Sequence, residues 1–118
     1  PQNANALNYI GYTYAEMGIR LEEAKSMVET ALEIEPKDGY IMDSLAWVYH
    51  KMVQHEKALE ITLQAIKLAG DDPVIYEHLG DIYRTLGKTK EAINAYEKAL
   101  ELDAEDPKKI QEKLRLLK

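Results

Sequence analysis

The sequence contains no cysteine, only four prolines and a single tryptophan. The lack of cysteine excludes disulfides and thiolate zinc sites, and it is compatible with reducing and oxidising compartments alike. No hydrophobic run approaches the ~20 residues that a membrane-spanning helix needs. Lysine and arginine are outnumbered by acidic residues, and the net charge of −6 argues against binding to a nucleic-acid backbone. It is compatible with a basic protein partner.

The chain has 118 residues, a length that fits one domain. It begins at Pro1, and neither an initiator methionine nor a signal peptide is present there. We therefore expect a fragment of a longer protein, and the compartment is left open.

Two short patterns recur three times along the chain. The first reads LNYIGYTY at 7–14, MDSLAWVY at 42–49 and YEHLGDIY at 76–83. The second reads EAKSMVETAL at 23–32, KALEITLQAI at 57–66 and EAINAYEKAL at 91–100. Ala24, Ala58 and Ala92 hold the same place in the second pattern and are spaced by 34 residues. Such a period is typical of repeat proteins, in which each repeat is one small structural unit.

These patterns resemble the tetratricopeptide repeat (TPR), a helix–turn–helix unit of 34 residues. The resemblance covers about residues 4 to 106, and it implies an all-α fold. We expect a right-handed α-solenoid of three repeats, at 4–38, 39–72 and 73–106, followed by a C-terminal capping helix at 107–118. In that helix Ile110, Leu114 and Leu117 are expected to cover the last repeat. Its basic residues are expected to face water: Lys108, Lys109, Lys113, Arg115 and Lys118.

The ends of the helices are marked by residues with specific backbone roles. An aspartate precedes each new unit and is expected to cap the next helix through its carboxylate. These aspartates are Asp38, Asp72 and Asp106. Gly18 and Gly87 stand where the first helix of a repeat ends, in a left-handed conformation that favours glycine. Val53 stands at that place in the middle repeat, which predicts a strained turn there.

Helical phase separates the side chains of each first helix into a buried arc and an opposite arc. The resemblance implies that the opposite arc faces a concave groove, where TPR proteins usually hold peptides. It carries the aromatic residues Tyr9, Tyr12, Tyr40 and Trp47, with Asp81 further along, so we predict an exposed aromatic floor with an acidic end. The predicted groove residues are Asn8, Tyr12, Tyr40, Asp43, Trp47, His50, Lys51, Glu77, Asp81 and Arg84.

Three alternatives to ligand contact stay open at this point. Trp47 could instead pack on Tyr12 and stiffen the junction between repeats, or be covered by a preceding repeat of a longer protein. The groove charges could form an ordinary solvated face. Some family members bind the C-terminal carboxylate of chaperones through a clamp of lysine, asparagine and arginine. No lysine or arginine occupies the matching positions, so we do not expect chaperone-tail binding. Those positions are Asn8, Tyr12, Ser44, Val74 and His78.

No residue pattern for catalysis or metal binding is evident. Neither a glycine-rich phosphate loop nor a nucleophile elbow occurs in the sequence. His50 and His55 are five residues apart, whereas two histidines that bind one metal from a helix are usually four apart. We therefore predict a protein that is not an enzyme and that uses no cofactor or metal.

These observations predict a protein-interaction module, an adaptor or scaffold that binds a partner peptide through Tyr12, Tyr40 and Trp47. Asp43, Glu77 and Asp81 would favour a basic residue beside those apolar anchors. The alternative is a module that associates with itself, through its basic capping helix or its aromatic row, or that spaces other domains. The sequences of the repeats resemble the C-terminal repeats of bacterial TPR proteins. This resemblance leaves both the cytoplasm and the cell envelope open as compartments.

Overall fold

The computed structural model describes residues 3–118, and within that range the chain forms seven α-helices and no strand. The helices are α1 (Ala4–Met17), α2 (Leu21–Ile34), α3 (Gly39–Lys51), α4 (His55–Ala69), α5 (Pro73–Thr85), α6 (Thr89–Glu101) and α7 (Pro107–Leu117). Consecutive helices pack in pairs, α1 on α2, α3 on α4 and α5 on α6. The helices α3 and α5 also pack on the pair before them, and α7 packs on α6. The result is an all-α helical repeat solenoid, as the sequence predicts. None of these seven helices is long and apolar enough to cross a membrane.

The expected caps are present at the helix ends. The carboxylate of Asp38 accepts hydrogen bonds from the first backbone N–H groups of α3, at 2.9 and 3.1 Å. Asp72 caps α5 at the same two distances, and Asp106 caps α7. Gly18 and Gly87 are left-handed, and Val53 adopts the same conformation with φ of 65°. The prediction of a strained turn at Val53 is therefore confirmed.

Small residues allow the two helices of a repeat to approach closely. A methyl group placed on Gly11 would lie 2.6 Å from Cγ2 of Val28, and one placed on Gly80 would overlap the ring of Tyr96. Contacts this short would force the helices apart. The glycines at the centre of α1 and α5 thus hold each first helix against the second helix of its own repeat.

The capping helix α7 packs as predicted on its apolar side but not on its basic side. Ile110 and Leu114 are buried. Lys113, which we expected to face water, has a side chain that is only 16% exposed. Its Nζ donates hydrogen bonds to Glu77 at 2.8 Å and to Asp81 at 2.9 Å. That prediction is wrong because the two carboxylates of α5 lie beside α7 and draw the ammonium group inward.

Candidate functional site

The first helices of the three pairs, α1, α3 and α5, pack side by side and form one continuous face. An open cavity of about 440 Å³ lies on this face, and we call it the α1–α3–α5 groove. Its lining consists of Asn5, Asn8, Tyr9, Tyr12, Tyr40, Asp43, Ser44, Asp72, Val74, Ile75 and His78. Apolar side chains at its rim are open to solvent, since Tyr9 is 72%, Tyr40 54% and Val74 50% exposed. Such clustering of exposed apolar groups is typical of a binding surface.

The structure brings four of the ten predicted groove residues into this cavity and leaves six outside it. Asn8, Tyr12, Tyr40 and Asp43 line the groove. The six outside it are Trp47, His50, Lys51, Glu77, Asp81 and Arg84. Seven lining residues are not among the ten predicted ones: Asn5, Tyr9, Ser44, Asp72, Val74, Ile75 and His78. Asp72 was interpreted as a helix cap. Asp72 does cap α5, and that position places it at the rim of the groove.

Trp47 is not an exposed floor residue, because its side chain is only 6% exposed. The ring of His78, from the next repeat, stacks on it with centroids 4.1 Å apart and planes 21° apart. The indole N–H donates a hydrogen bond to Glu16 Oε1 at 2.6 Å, and Lys51 Nζ lies 5.3 Å from the ring centroid. The prediction that Trp47 lies open in the groove is wrong, since side chains from three helices cover it.

His78 links two lining residues of the groove. Its Nδ1 lies 2.9 Å from Asp43 Oδ2, and its Nε2 lies 3.2 Å from the Tyr12 hydroxyl. Burial alone would lower the pKa of His78, but the adjacent Asp43 carboxylate outweighs it and raises the pKa above its ordinary value. Burial and the nearby Glu16 and Asp43 carboxylates raise the pKa of Tyr12, which keeps its hydroxyl protonated. These three side chains form a fixed wall of the groove.

The predicted acidic end of the groove is neutralised within the molecule. Asp81 accepts a hydrogen bond from the buried Tyr96 hydroxyl and another from Lys113. Glu77 is bonded to the same lysine, and Lys109 Nζ lies 3.6 Å from it. These two carboxylates are therefore not free to attract a ligand in the way the sequence suggested.

His50 and His55 meet across the turn between α3 and α4. Their Nδ1 atoms are 2.8 Å apart, and the His50 ring lies 4.9 Å from the Trp47 ring, centroid to centroid. Burial, followed by the proximity of His55, lowers the pKa of His50 to about 4, so this imidazole is neutral at neutral pH. Among residues 3–118 no group of three or more histidine, cysteine or acidic side chains is placed to hold a metal ion.

One polar atom of the groove lacks a partner. The Oδ1 atom of Asn8 is buried and accepts no hydrogen bond from any described residue. A buried acceptor without a donor typically costs about 1–3 kcal/mol.

The paired helices and the continuous face of their first members define a helical-repeat protein. The chain belongs to the tetratricopeptide repeat family, whose sequence profile matches residues 4–38 and 74–106, more than half of the chain. It is similar to a TPR repeat-containing protein of Pseudomonas aeruginosa, with 37% identity over 67 residues. That match covers 54% of this chain and 11% of the relative.

Solved TPR structures have the same fold. The first TPR domain of human RPAP3 superposes with a TM-score of 0.85 at 23% identity, over 97% of this chain and 88% of that one. The first TPR of Spaghetti (RPAP3), bound to the HSP90 peptide SRMEEVD, gives 0.83 at 23%, over 97% and 89%. The type III secretion chaperone SycD of Yersinia enterocolitica, in complex with a peptide of the translocator YopD, gives 0.79 at 17%, over 96% and 90%. At these identities the likeness establishes the fold alone.

Proposed function

We propose that this chain is a protein-interaction module that binds a segment of a partner protein in the α1–α3–α5 groove. The observation that carries this proposal is the exposure of Tyr9, Tyr40 and Val74 around one open cavity of about 440 Å³. Large apolar groups are uncommon at the rim of a water-exposed concave surface unless a partner covers them. Tyrosine is also enriched among residues that contribute most to binding.

We assign different roles to the aromatic residues around the groove. Tyr9 and Tyr40 are the proposed anchors, because their exposed rings can enclose an apolar side chain of the partner. Tyr12 is half-buried and lines the groove, with its hydroxyl already bonded to His78. Trp47 supports that floor from below through its stacking on His78.

The charges of the groove favour a partner segment that is neutral or basic. Its lining contains the carboxylates of Asp43 and Asp72 and no lysine or arginine. A proton gained by His78 is offset by the adjacent Asp43 carboxylate, 2.9 Å from Nδ1. Spaghetti binds the acidic peptide SRMEEVD, and SycD binds a YopD peptide. These neighbours support segment binding as the general activity, whereas the charges here favour a ligand of the opposite sign to the HSP90 peptide.

We also propose that this module is not an enzyme. TPR domains are typically interaction modules rather than enzymes. Three polar groups of the groove that could move protons, those of Tyr12, Asp43 and His78, are bonded to one another. His78, the strongest candidate for a base, is buried between Trp47 and Tyr12 and is held by Asp43. A substrate could not reach its ring nitrogens without displacing those side chains.

Peptide selection with groove variants tests the proposal. A displayed library of random 15-residue peptides is selected on the wild-type protein, and the affinity of enriched peptides is measured by fluorescence anisotropy. We expect micromolar binding, since ordering a flexible peptide offsets much of the contact energy. Tyr40→Ala should weaken it at least tenfold, as expected for the loss of an anchor. Leu63→Ala, which removes an exposed apolar side chain of α4, should leave it unchanged. Equal binding to wild type and to a Tyr9→Ala/Tyr40→Ala double variant would overturn the proposal.

A second candidate is self-association through the outer face of α1. Ile10 is 40% and Met17 64% exposed, whereas Leu45, which holds the place of Ile10 one repeat later, is 8% exposed because the preceding repeat covers it. A second copy could cover this face of α1. Docking through the capping helix is less favoured, since Lys113 is bonded within its own chain. Sedimentation of the wild type and of Met17→Glu over a concentration range tests self-association. A wild-type protein that is monomeric at every concentration excludes this candidate.

A further inference from the structure

The ring of His78 joins the three helices that form the α1–α3–α5 groove. It extends from α5, stacks on Trp47 of α3 with centroids 4.1 Å apart, and has its Nε2 3.2 Å from the Tyr12 hydroxyl of α1. Its Nδ1 lies 2.9 Å from Asp43 Oδ2, and both side chains of this pair are only 8% exposed. A buried imidazole with a carboxylate partner at the wall of a site can couple the properties of that site to pH.

We propose that His78 is the pH sensor of the groove, and that one proton on its ring changes the charge of the groove and reverses the hydrogen bond to Tyr12. In the charged ring both nitrogens donate, Nδ1 to Asp43 and Nε2 to the Tyr12 oxygen. In the neutral ring Nδ1–H still donates to Asp43, whereas Nε2 accepts from the Tyr12 O–H. Every bond is satisfied in both states, so no side chain has to move.

The proton on His78 therefore acts on the groove through charge and bond direction. The lining contains the carboxylates of Asp43 and Asp72 and no lysine or arginine. A charged His78 cancels one of these two charges, and a neutral His78 cancels neither. A basic segment should therefore bind more tightly when the ring is neutral. This effect on a ligand rests on the proposed function of the groove, whereas the proton linkage itself does not.

The charges around His78 place the change above about pH 6.5. Burial disfavours the charged ring, but the surrounding carboxylates, with Asp43 the strongest, raise its pKa above the ordinary value of about 6.5. The stability that this gives is complete below about pH 6.5 and is lost as the pH rises through the folded-state pKa. The titratable and charged groups around the ring are Tyr12 and Glu16 of α1, Asp43, His50 and Lys51 of α3, and Asp81 of α5, which is bound to Lys113 of α7.

Tryptophan emission reports the state of His78, because Trp47 is the only tryptophan and is stacked on this ring. An imidazolium ring in contact with an indole quenches its emission more strongly than a neutral imidazole does. Titration of the intact chain between about pH 5 and pH 9 should raise the emission in one step, with a midpoint above about pH 6.5. His50 also touches Trp47, but its pKa of about 4 keeps it neutral over this range.

Variants assign the step to one ring. His78→Gln removes the titrating group and should abolish the step, whereas His55→Gln, in the turn beyond Trp47, should keep it. Asp43→Asn keeps an acceptor for Nδ1 but removes the charge, so the midpoint should fall by at least about one pH unit. Nitrogen-15 shifts of the His78 ring give the midpoint in the wild type without any substitution. A wild-type ring that is neutral at about pH 6, or a step that persists in His78→Gln, would overturn the inference.

Peptide affinity on both sides of the midpoint separates this inference from the proposed function. A library-selected peptide that contains lysine or arginine should bind about threefold more tightly above the midpoint than below it, because one more negative charge then faces it. Equal affinity on both sides would overturn the sensing role of His78. If no peptide binds while the emission step is present, the proposed function fails and the proton linkage is supported.

Discussion

Val53 occupies a backbone conformation that β-branched residues rarely adopt. Its φ of 65° matches those of Gly18 and Gly87, which end the first helices of the other two repeats. For a residue with a Cβ atom this conformation costs roughly 1–2 kcal/mol. The side chain of Val53 is 74% exposed, so its packing offsets little of that cost.

Val53→Gly should therefore stabilise the protein by about 1 kcal/mol, because it relieves the strain without removing a buried contact. Urea unfolding monitored by circular dichroism measures the change. The reciprocal variant Gly87→Val should destabilise the protein by a similar amount. Unchanged or lower stability in Val53→Gly would show that the turn carries no strain.

Trp47 gives a second prediction at this scale. Because its ring is covered by His78, His50 and Lys51, its emission should be blue-shifted and poorly quenched by acrylamide. Sedimentation at the same protein concentration must show a monomer, so that burial in a dimer is excluded. Emission like that of free tryptophan in such a monomer would contradict the buried position.

The residues of the groove were only partly predictable from the sequence. Helical phase placed Tyr9, Tyr12 and Tyr40 on the correct side of their helices, because phase depends only on spacing along one helix. It could not show that His78 covers Trp47. That contact depends on how closely α3 and α5 approach and on the rotamers of both side chains, and a single helix does not determine either.

At the scale of the element, α7 does more than cover the last repeat. Through Lys113 it neutralises two carboxylates of α5, with each of the three side chains no more than 20% exposed. The sequence predicted its apolar side, since Ile110 and Leu114 follow helical spacing. It did not predict the position of Lys113, because the neighbouring carboxylates belong to a helix more than thirty residues earlier in the chain.

Removal of the Lys113 side chain tests how much this contact stabilises the protein. Lys113→Ala removes the cation that bridges Glu77 and Asp81 and leaves only the more distant and more exposed Lys109 and Arg84 beside them. It should lower the free energy of unfolding by about 2–3 kcal/mol. Lys108→Ala, on the exposed side of the same helix, should change it by less than about 0.5 kcal/mol. Chemical denaturation of both variants measures the difference. If both variants changed the free energy of unfolding by equally small amounts, the Lys113 ammonium group would be solvated in solution.

The architecture of the whole molecule follows from the 34-residue period of its sequence. Alanines repeating every 34 residues fix where helices approach, and capping aspartates fix where α3, α5 and α7 begin. The position of the groove was harder to predict. The cavity lies along the first halves of α3 and α5, because Trp47, His50 and Lys113 fill the face further along. Only the packed structure shows which part of the predicted arc remains open.

The central claim is that a partner segment binds in the α1–α3–α5 groove, and nuclear magnetic resonance tests it most directly. Amide shifts of the 15N-labelled protein are recorded as a selected peptide is added. We expect the largest changes at residues 5–12, 40–44 and 74–78, and small changes along α2, α4 and α6. Changes concentrated on those second helices, with the groove amides unmoved, would contradict the account.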